Sequence, residues 1–168
     1  RLATTRLLWF LHADSEPPRN AVALIREHIA AGHLGGYFRF SFSGKHGWQK
    51  RGLAAAINVR ARFGIPYGDQ GLFVTRAAYR NAGGFAATPL FEEVRLIKAL
   101  RGRGRFSSLA ARIGVSSRRW ERDGWVRRTL HNRFLACAYA LGVSPERLAR
   151  LYQPKAEASM TQRPSAVR

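Results

Sequence analysis

The sequence predicts an α/β fold, a mixed sheet flanked by helices, and three observations carry that reading. Leu7-Leu8-Trp9-Phe10-Leu11 is an unbroken apolar run, the pattern of a central strand buried on both faces. Phe38, Phe40 and Phe42 alternate with Arg39, Ser41 and Ser43, the period of a half-buried strand. Apolar residues between and beyond these runs recur at helical spacing, so strands and helices interleave along the chain.

The first strand stops at His12-Ala13-Asp14, because Pro17-Pro18 cannot extend it and suits the first turn of a helix. His12 and Asp14 are therefore expected at the carboxyl end of a central strand, where open α/β sheets bind ligands. An imidazole with a carboxylate also suits a divalent cation. Asp14 or Ser15 can instead serve only to cap the helix that follows. Val22, Ile25 and Ile29 give that helix an apolar face, ending near Gly32. Gly35-Gly36 opens the alternating strand, residues 44–47 form a turn, and a helix is expected over 49–63. The glycine-rich loop 64–71 leads into a short strand at 72–74, after which Thr75 caps a short helix ending at Gly83-Gly84. Thr88-Pro89 reads as the start of the next helix, running to about residue 101. A strand over 106–115, a basic loop over 116–124 and a long helix over 125–141 follow. Pro145 opens a last helix to Tyr152, and residues 153–168 read as a disordered tail.

The chain has 168 residues and a formal net charge of +19, from 29 basic against 10 acidic residues. All but four of the basic residues are arginine. This balance points to anionic partners: nucleic acid, an anionic membrane surface or phosphorylated ligands. Arginine-rich usage without a specific role is the plainer explanation of the same excess. A single cysteine, Cys137, excludes an internal disulfide and a cysteine-based zinc site, and its place in an apolar stripe reads as packing. No segment approaches the ~20 apolar residues that span a bilayer.

With so few carboxylates, each can be weighed. Leu90, Ile97 and Leu100 stand three before, four after and seven after Glu93, which places its carboxylate on the apolar face of a helix. Such a group costs desolvation unless it is paired or used. Glu92 points about a quarter-turn away, and both could simply favour the helix N-terminus. Asp69 between glycines is either a turn residue or a ligand. His28, His33 and His131 read as surface residues, and His46 lies in a turn beside Trp48. Arg118-Arg119-Trp120-Glu121-Arg122 is a basic stretch suited to phosphate oxygens, or a solvated connector. Val126, Leu130, Phe134, Cys137 and Leu141 form a stripe expected to pack on the sheet. With Arg122, Arg127, Arg128 and Arg133 beside it, the helix could instead lie on an anionic membrane. The alternative to an enzyme is an arginine-rich module for nucleic acid or anionic membrane, although no nucleic-acid-binding motif accompanies the charge.

Taken in order, several stretches resemble a family 2 glycosyltransferase of the GT-A fold, and within it the branch associated with radical-SAM/selenodomain proteins. They are Leu-His-Ala-Asp at 11–14, Gly-Gly-Tyr-Phe-Arg-Phe at 35–40 and Pro-Tyr-Gly-Asp-Gln-Gly-Leu-Phe-Val at 66–74. Gly-Gly-Phe at 83–85, Pro-Leu-Phe-Glu-Glu-Val at 89–94, Ser-Arg-Arg-Trp-Glu-Arg at 117–122 and Gly-Val-Ser-Pro-Glu-Arg-Leu-Ala at 142–149 continue the series. The resemblance implies that residues 1–115 are the carboxyl-terminal part of a Rossmann-like GT-A domain. Residues 116–152 would supply a basic loop and amphipathic helices. It implies inverting, metal-assisted, non-processive transfer of a sugar from a nucleotide-sugar to an acceptor hydroxyl, lipid-linked acceptors included.

By the same resemblance His12 and Asp14 occupy the Asp-x-Asp position and hold Mg²⁺ or Mn²⁺, with His12 standing where the family has aspartate. Glu93 is the general base beside Glu92, Arg118 and Arg119 meet the diphosphate, and Asp69, Gln70 and Trp120 line the acceptor side. The family's opening β-α-β unit, which cradles base and ribose, has no counterpart in this sequence. The chain alone is accordingly expected to have little or no activity. The expected location is cytoplasmic, with peripheral contact at the inner face of the plasma membrane and no specific nucleic-acid partner.

Overall fold

A computed structural model describes residues 4–44 and 47–152. The expected tail at 153–168 and His46 lie outside the described residues. The fold is α/β, with a mixed five-stranded sheet flanked by helices. Its strands are β1 (Leu7–Trp9), β2 (Ser15–Glu16), β3 (Gly35–Phe42), β4 (Phe73–Thr75) and β5 (Phe106–Val115). They stand in the order β1-β4-β3-β5-β2, with β3 and β5 parallel and every other pair antiparallel. The helices are α1 (Ala21–Ala30), α2 (Trp48–Phe63), α3 (Arg76–Asn81), α4 (Glu93–Arg103), α5 (Arg118–Asp123), α6 (Trp125–Ala140) and α7 (Pro145–Tyr152).

The phenylalanine run builds the centre. Phe38, Phe40 and Phe42 are at most 1% exposed, and burial of each side chain contributes roughly 2–3 kcal/mol. Phe38 packs with Phe73, Ile113 and Ile25 of α1, while Phe40 and Phe42 pack with Val115 and Ala54 of α2. The opposite face is covered too, by Tyr37, Val74, Leu96, Ile97 and Leu100. β3 is thus the central strand, buried on both faces at 35–38 and alternating beyond, where Phe38, Phe40 and Phe42 are buried and Arg39 is exposed as its period predicts. Beyond Gly36 it leaves β4, and Asn58 of α2 takes over as hydrogen-bond partner. Its Oδ1 accepts the Phe40 N–H at 2.7 Å, and its Nδ2 donates to the Phe40 carbonyl at 2.9 Å.

Several sequence expectations are corrected. The strand beginning at Leu7 is an edge strand only partly buried, not a central one, because it pairs with β4 alone. Pro17-Pro18 precedes α1 rather than opening it; Ser15–Glu16 first pairs with β5, and Asn20 stands at the N-cap position. The helix expected from Thr88-Pro89 begins at Glu93, after Phe91 turns the backbone into the left-handed region at φ 61°. The basic loop contains a helical turn, α5, where the Ser117 hydroxyl donates to Glu121 at 2.6 Å and receives a bond from Lys50 at 2.9 Å.

The apolar stripe of α6 faces solvent rather than the sheet. Val126, Leu130, Phe134 and Leu141 are 59–86% exposed, Cys137 is exposed, and Leu135 from the opposite side of the helix is the buried residue. His28 is also no surface residue. Its ring stacks on His33 at 3.8 Å, and its pKa is lowered to about 4 by burial and by the charges of His33 and Arg105. Among the described residues no helix is long and apolar enough to cross a membrane.

Candidate functional site

Three segments distant in sequence meet at one corner: the loop after β1, the helical turn Gly68–Gln70, and the first turn of α4. Gly68 is the hinge of the contact. A Cβ on it would sit 2.7 Å from Nε2 of His12, so the imidazole approaches as closely as it does only over glycine. On its other side the Gly68 N–H donates to Oε1 of Glu93 at 3.3 Å. Gly71 ends the turn at φ 59°, a left-handed conformation that suits glycine and directs the chain into β4.

Phe91 places Glu93. A non-glycine residue in the left-handed region costs roughly 1–2 kcal/mol, which the surroundings must offset. They do so by packing: the Phe91 ring stacks on Tyr139 at 4.6 Å and leans on Tyr67 at 5.8 Å. The turn lets α4 start at Glu93, whose side chain is 7% exposed. Burial pushes its carboxyl up to about 7; the charges of Glu92 and Asp69 add to the rise, and its own and the Gly68 backbone N–H oppose it. A helix N-terminus favours a carboxylate, so here desolvation outweighs the helix end. A carboxyl balanced near neutrality beside an accessible loop is suited to taking and returning a proton.

Asp69 is the second perturbed carboxyl. Burial raises its pKa and the charge of Asp14 adds to this, while Arg60 and His12 act in the opposite direction. Its Oδ1 is buried without a hydrogen-bond partner among the described residues. Arg60, whose charge acts on Asp69, lies 4.1 Å above the Tyr67 ring. Arg60, Tyr67, Gly68 and Phe91 were not singled out by the sequence reading. The glycine-rich loop at 64–71 signals Tyr67 and Gly68 alone, and Arg60 and Phe91 carry no local signal because their roles depend on contacts between distant segments.

The remaining sequence candidates divide. His12 and Asp14 are exposed on the loop after β1, and Glu92 is exposed beside Glu93. Gln70 is fully buried, its Nε2 donating to the Phe38 carbonyl at 3.3 Å, so it ties the turn to the central strand. Trp120 packs edge-on against Phe42 at 5.1 Å as part of the core. Arg118 and Arg119 are exposed on α5, and Arg119 donates to the Tyr152 hydroxyl at 3.2 Å. No hydrogen bond or ion pair joins these two arginines to the acidic corner among the described residues.

Among the described residues no three histidine, cysteine, aspartate or glutamate side chains gather in an arrangement that could hold a metal ion. Asp14 with His12 is a smaller donor set. The Asp14 carboxylate is the kind of oxygen donor Mg²⁺ takes together with water and substrate phosphates, whereas the His12 imidazole suits softer transition metals. No protein-family model, no curated protein and no solved structure matches this chain.

Proposed function

We propose that the acidic corner is the catalytic part of a GT-A-type, family 2 glycosyltransferase. The observation that carries this reading is Glu93: a buried carboxyl with its pKa near 7, hydrogen-bonded to Gly68 beside His12, Asp14 and Asp69. In the proposed reaction the Glu93 carboxylate takes the proton of an acceptor hydroxyl as that oxygen attacks the anomeric carbon. The bond from the anomeric carbon to the nucleotide diphosphate breaks on the opposite face, so the configuration inverts. Asp14 and His12 would hold Mg²⁺ or Mn²⁺, which supplies charge neutralisation to the leaving diphosphate. Asp69 would line the acceptor side, its turn anchored by Gln70 to the central strand; Trp120 packs on Phe42 in the core. Arg118 and Arg119 offer guanidinium groups to the diphosphate, and Glu92 keeps a negative potential beside the base.

The test is a screen of nucleotide-sugars with the full-length product of the gene encoding this chain, with and without Mg²⁺ or Mn²⁺. Metal-dependent hydrolysis or transfer is expected, reduced at least about a hundredfold in Asp14→Ala. Undiminished turnover in Asp14→Ala would remove that residue from the mechanism.

A peripheral membrane contact completes the proposal. The solvent-facing stripe of α6 is flanked on the helix by Arg127 and Arg133, which are also exposed. An apolar face bordered by guanidinium groups is complementary to an anionic bilayer surface, where a lipid-linked acceptor would reside.

A further inference from the structure

A polar cavity lies on the sheet face between α2 and α4, with a volume of about 550 Å³. It shares no lining residue with the acidic corner. Four arginines line it, Arg39 and Arg112 from the sheet and Arg62 and Arg101 from the helices, and no carboxylate does.

The sheet pair is the informative one. Arg39 and Arg112 are direct cross-strand partners on β3 and β5, immediately after an irregularity that shifts the register between Tyr37 and Arg39. Like charges placed opposite one another destabilise a sheet. Neither guanidinium has a hydrogen-bond or ion-pair partner among the described residues. The chain does neutralise arginines elsewhere: Arg122 and Arg128 both pair with Asp123. Arg101 is already fixed, donating to the carbonyls of Gly64 and Ala61, so it forms a rigid wall carrying positive charge. Ser107 and Ser108 add hydroxyl groups to the same cavity.

We infer that this cavity binds a small polyphosphate-bearing ligand, with Arg39 and Arg112 as the principal contacts. Guanidinium groups match phosphate oxygens in paired hydrogen bonds, and several adjacent phosphates match several arginines. An anion between Arg39 and Arg112 replaces their repulsion by two attractions, and serine hydroxyls supply neutral donors beside it. The volume admits a nucleoside triphosphate as well as a bare polyphosphate.

Calorimetric titration of the chain with inorganic tripolyphosphate and with ATP, in about 0.15 M salt so that diffuse attraction is screened, tests the inference. The R39Q/R112Q variant is compared with R147Q/R150Q, which removes two exposed charges from α7. Expected is saturable binding weakened about tenfold or more in R39Q/R112Q and within about twofold of the parent in R147Q/R150Q. Binding of tripolyphosphate and ATP alike assigns the cavity to phosphates alone; tighter binding of ATP shows that the nucleoside adds contacts. Equal weakening in both variants would show diffuse polycation attraction and overturn the inference. Undiminished binding by R39Q/R112Q, or no saturable binding by the parent, would overturn it as well. Both substituted sheet positions are exposed, and circular dichroism melting of R39Q/R112Q at or above the parent temperature confirms that it folds.

Discussion

Glu93 carries a desolvation cost when it ionises. Its carboxyl is raised to about 7 chiefly by burial, so the folded state holds a proton that an unfolded glutamate releases near its ordinary 4.5. Between those two values the folded state binds more protons, and stability therefore falls as pH rises through the interval. Well above 7 the full cost is present, on the order of 3 kcal/mol. Glu93→Gln cannot ionise. Its thermal midpoint is expected to exceed that of the parent at pH 8 and to converge with it near pH 4. A constant difference across the range would show that Glu93 is not perturbed. Phe91 and Gly68 belong to the same balance: one accepts an unfavourable backbone angle and the other gives up a side chain, both so that Glu93 and His12 meet at one turn. Of these, Glu93 was legible from the sequence because a carboxylate at helical spacing with Leu90, Ile97 and Leu100 is conspicuous. The left-handed Phe91 was not, since it depends on stacking against Tyr139, almost fifty residues later.

Periodicity located most elements well, but which side of an element is covered depends on neighbours that local pattern does not name. α6 shows this most sharply. Its apolar stripe reads as a core face, yet Leu135 is the residue buried, at 2% exposure, with Arg128 on the same inner side bonded to Asp123 and Tyr152. Leu135→Ala is therefore expected to cost about 2–4 kcal/mol in urea denaturation. Leu130→Ser with Phe134→Ser, each already more than half exposed, is expected to change stability by less than about 1 kcal/mol in total. The reverse ranking would place the stripe against the sheet. β1 misleads for a related reason: five apolar residues in a row signal burial, but the strand meets β4 on one side only. The helix after Thr88-Pro89 has good capping residues and still starts later, because the turn at Phe91 overrides local preference.

On the scale of the whole molecule, the chain carries a net charge of +19. Arginines line the sheet-face cavity, flank the exposed stripe of α6 and stand on α5, whereas Asp14, Asp69, Glu92 and Glu93 belong to the acidic corner. Co-sedimentation with vesicles containing phosphatidylglycerol is expected to capture the protein, and pure phosphatidylcholine to capture little. Leu130→Glu with Phe134→Glu should abolish capture, and capture unaffected by that change would exclude α6 as the contact. The acidic corner remains the centre of the functional reading, because it is where loop, turn and helix converge on perturbed carboxyls. The most direct measurement compares sugar-transfer rates of the full-length gene product with those of Glu93→Gln and Glu92→Gln across pH 5–9. A general base at Glu93 requires a loss of about 10²–10⁴-fold in Glu93→Gln, a modest change in Glu92→Gln, and an acid limb near pH 7 that disappears with Glu93. Transfer by Glu93→Gln within about tenfold of the parent, with the acid limb intact, would contradict it.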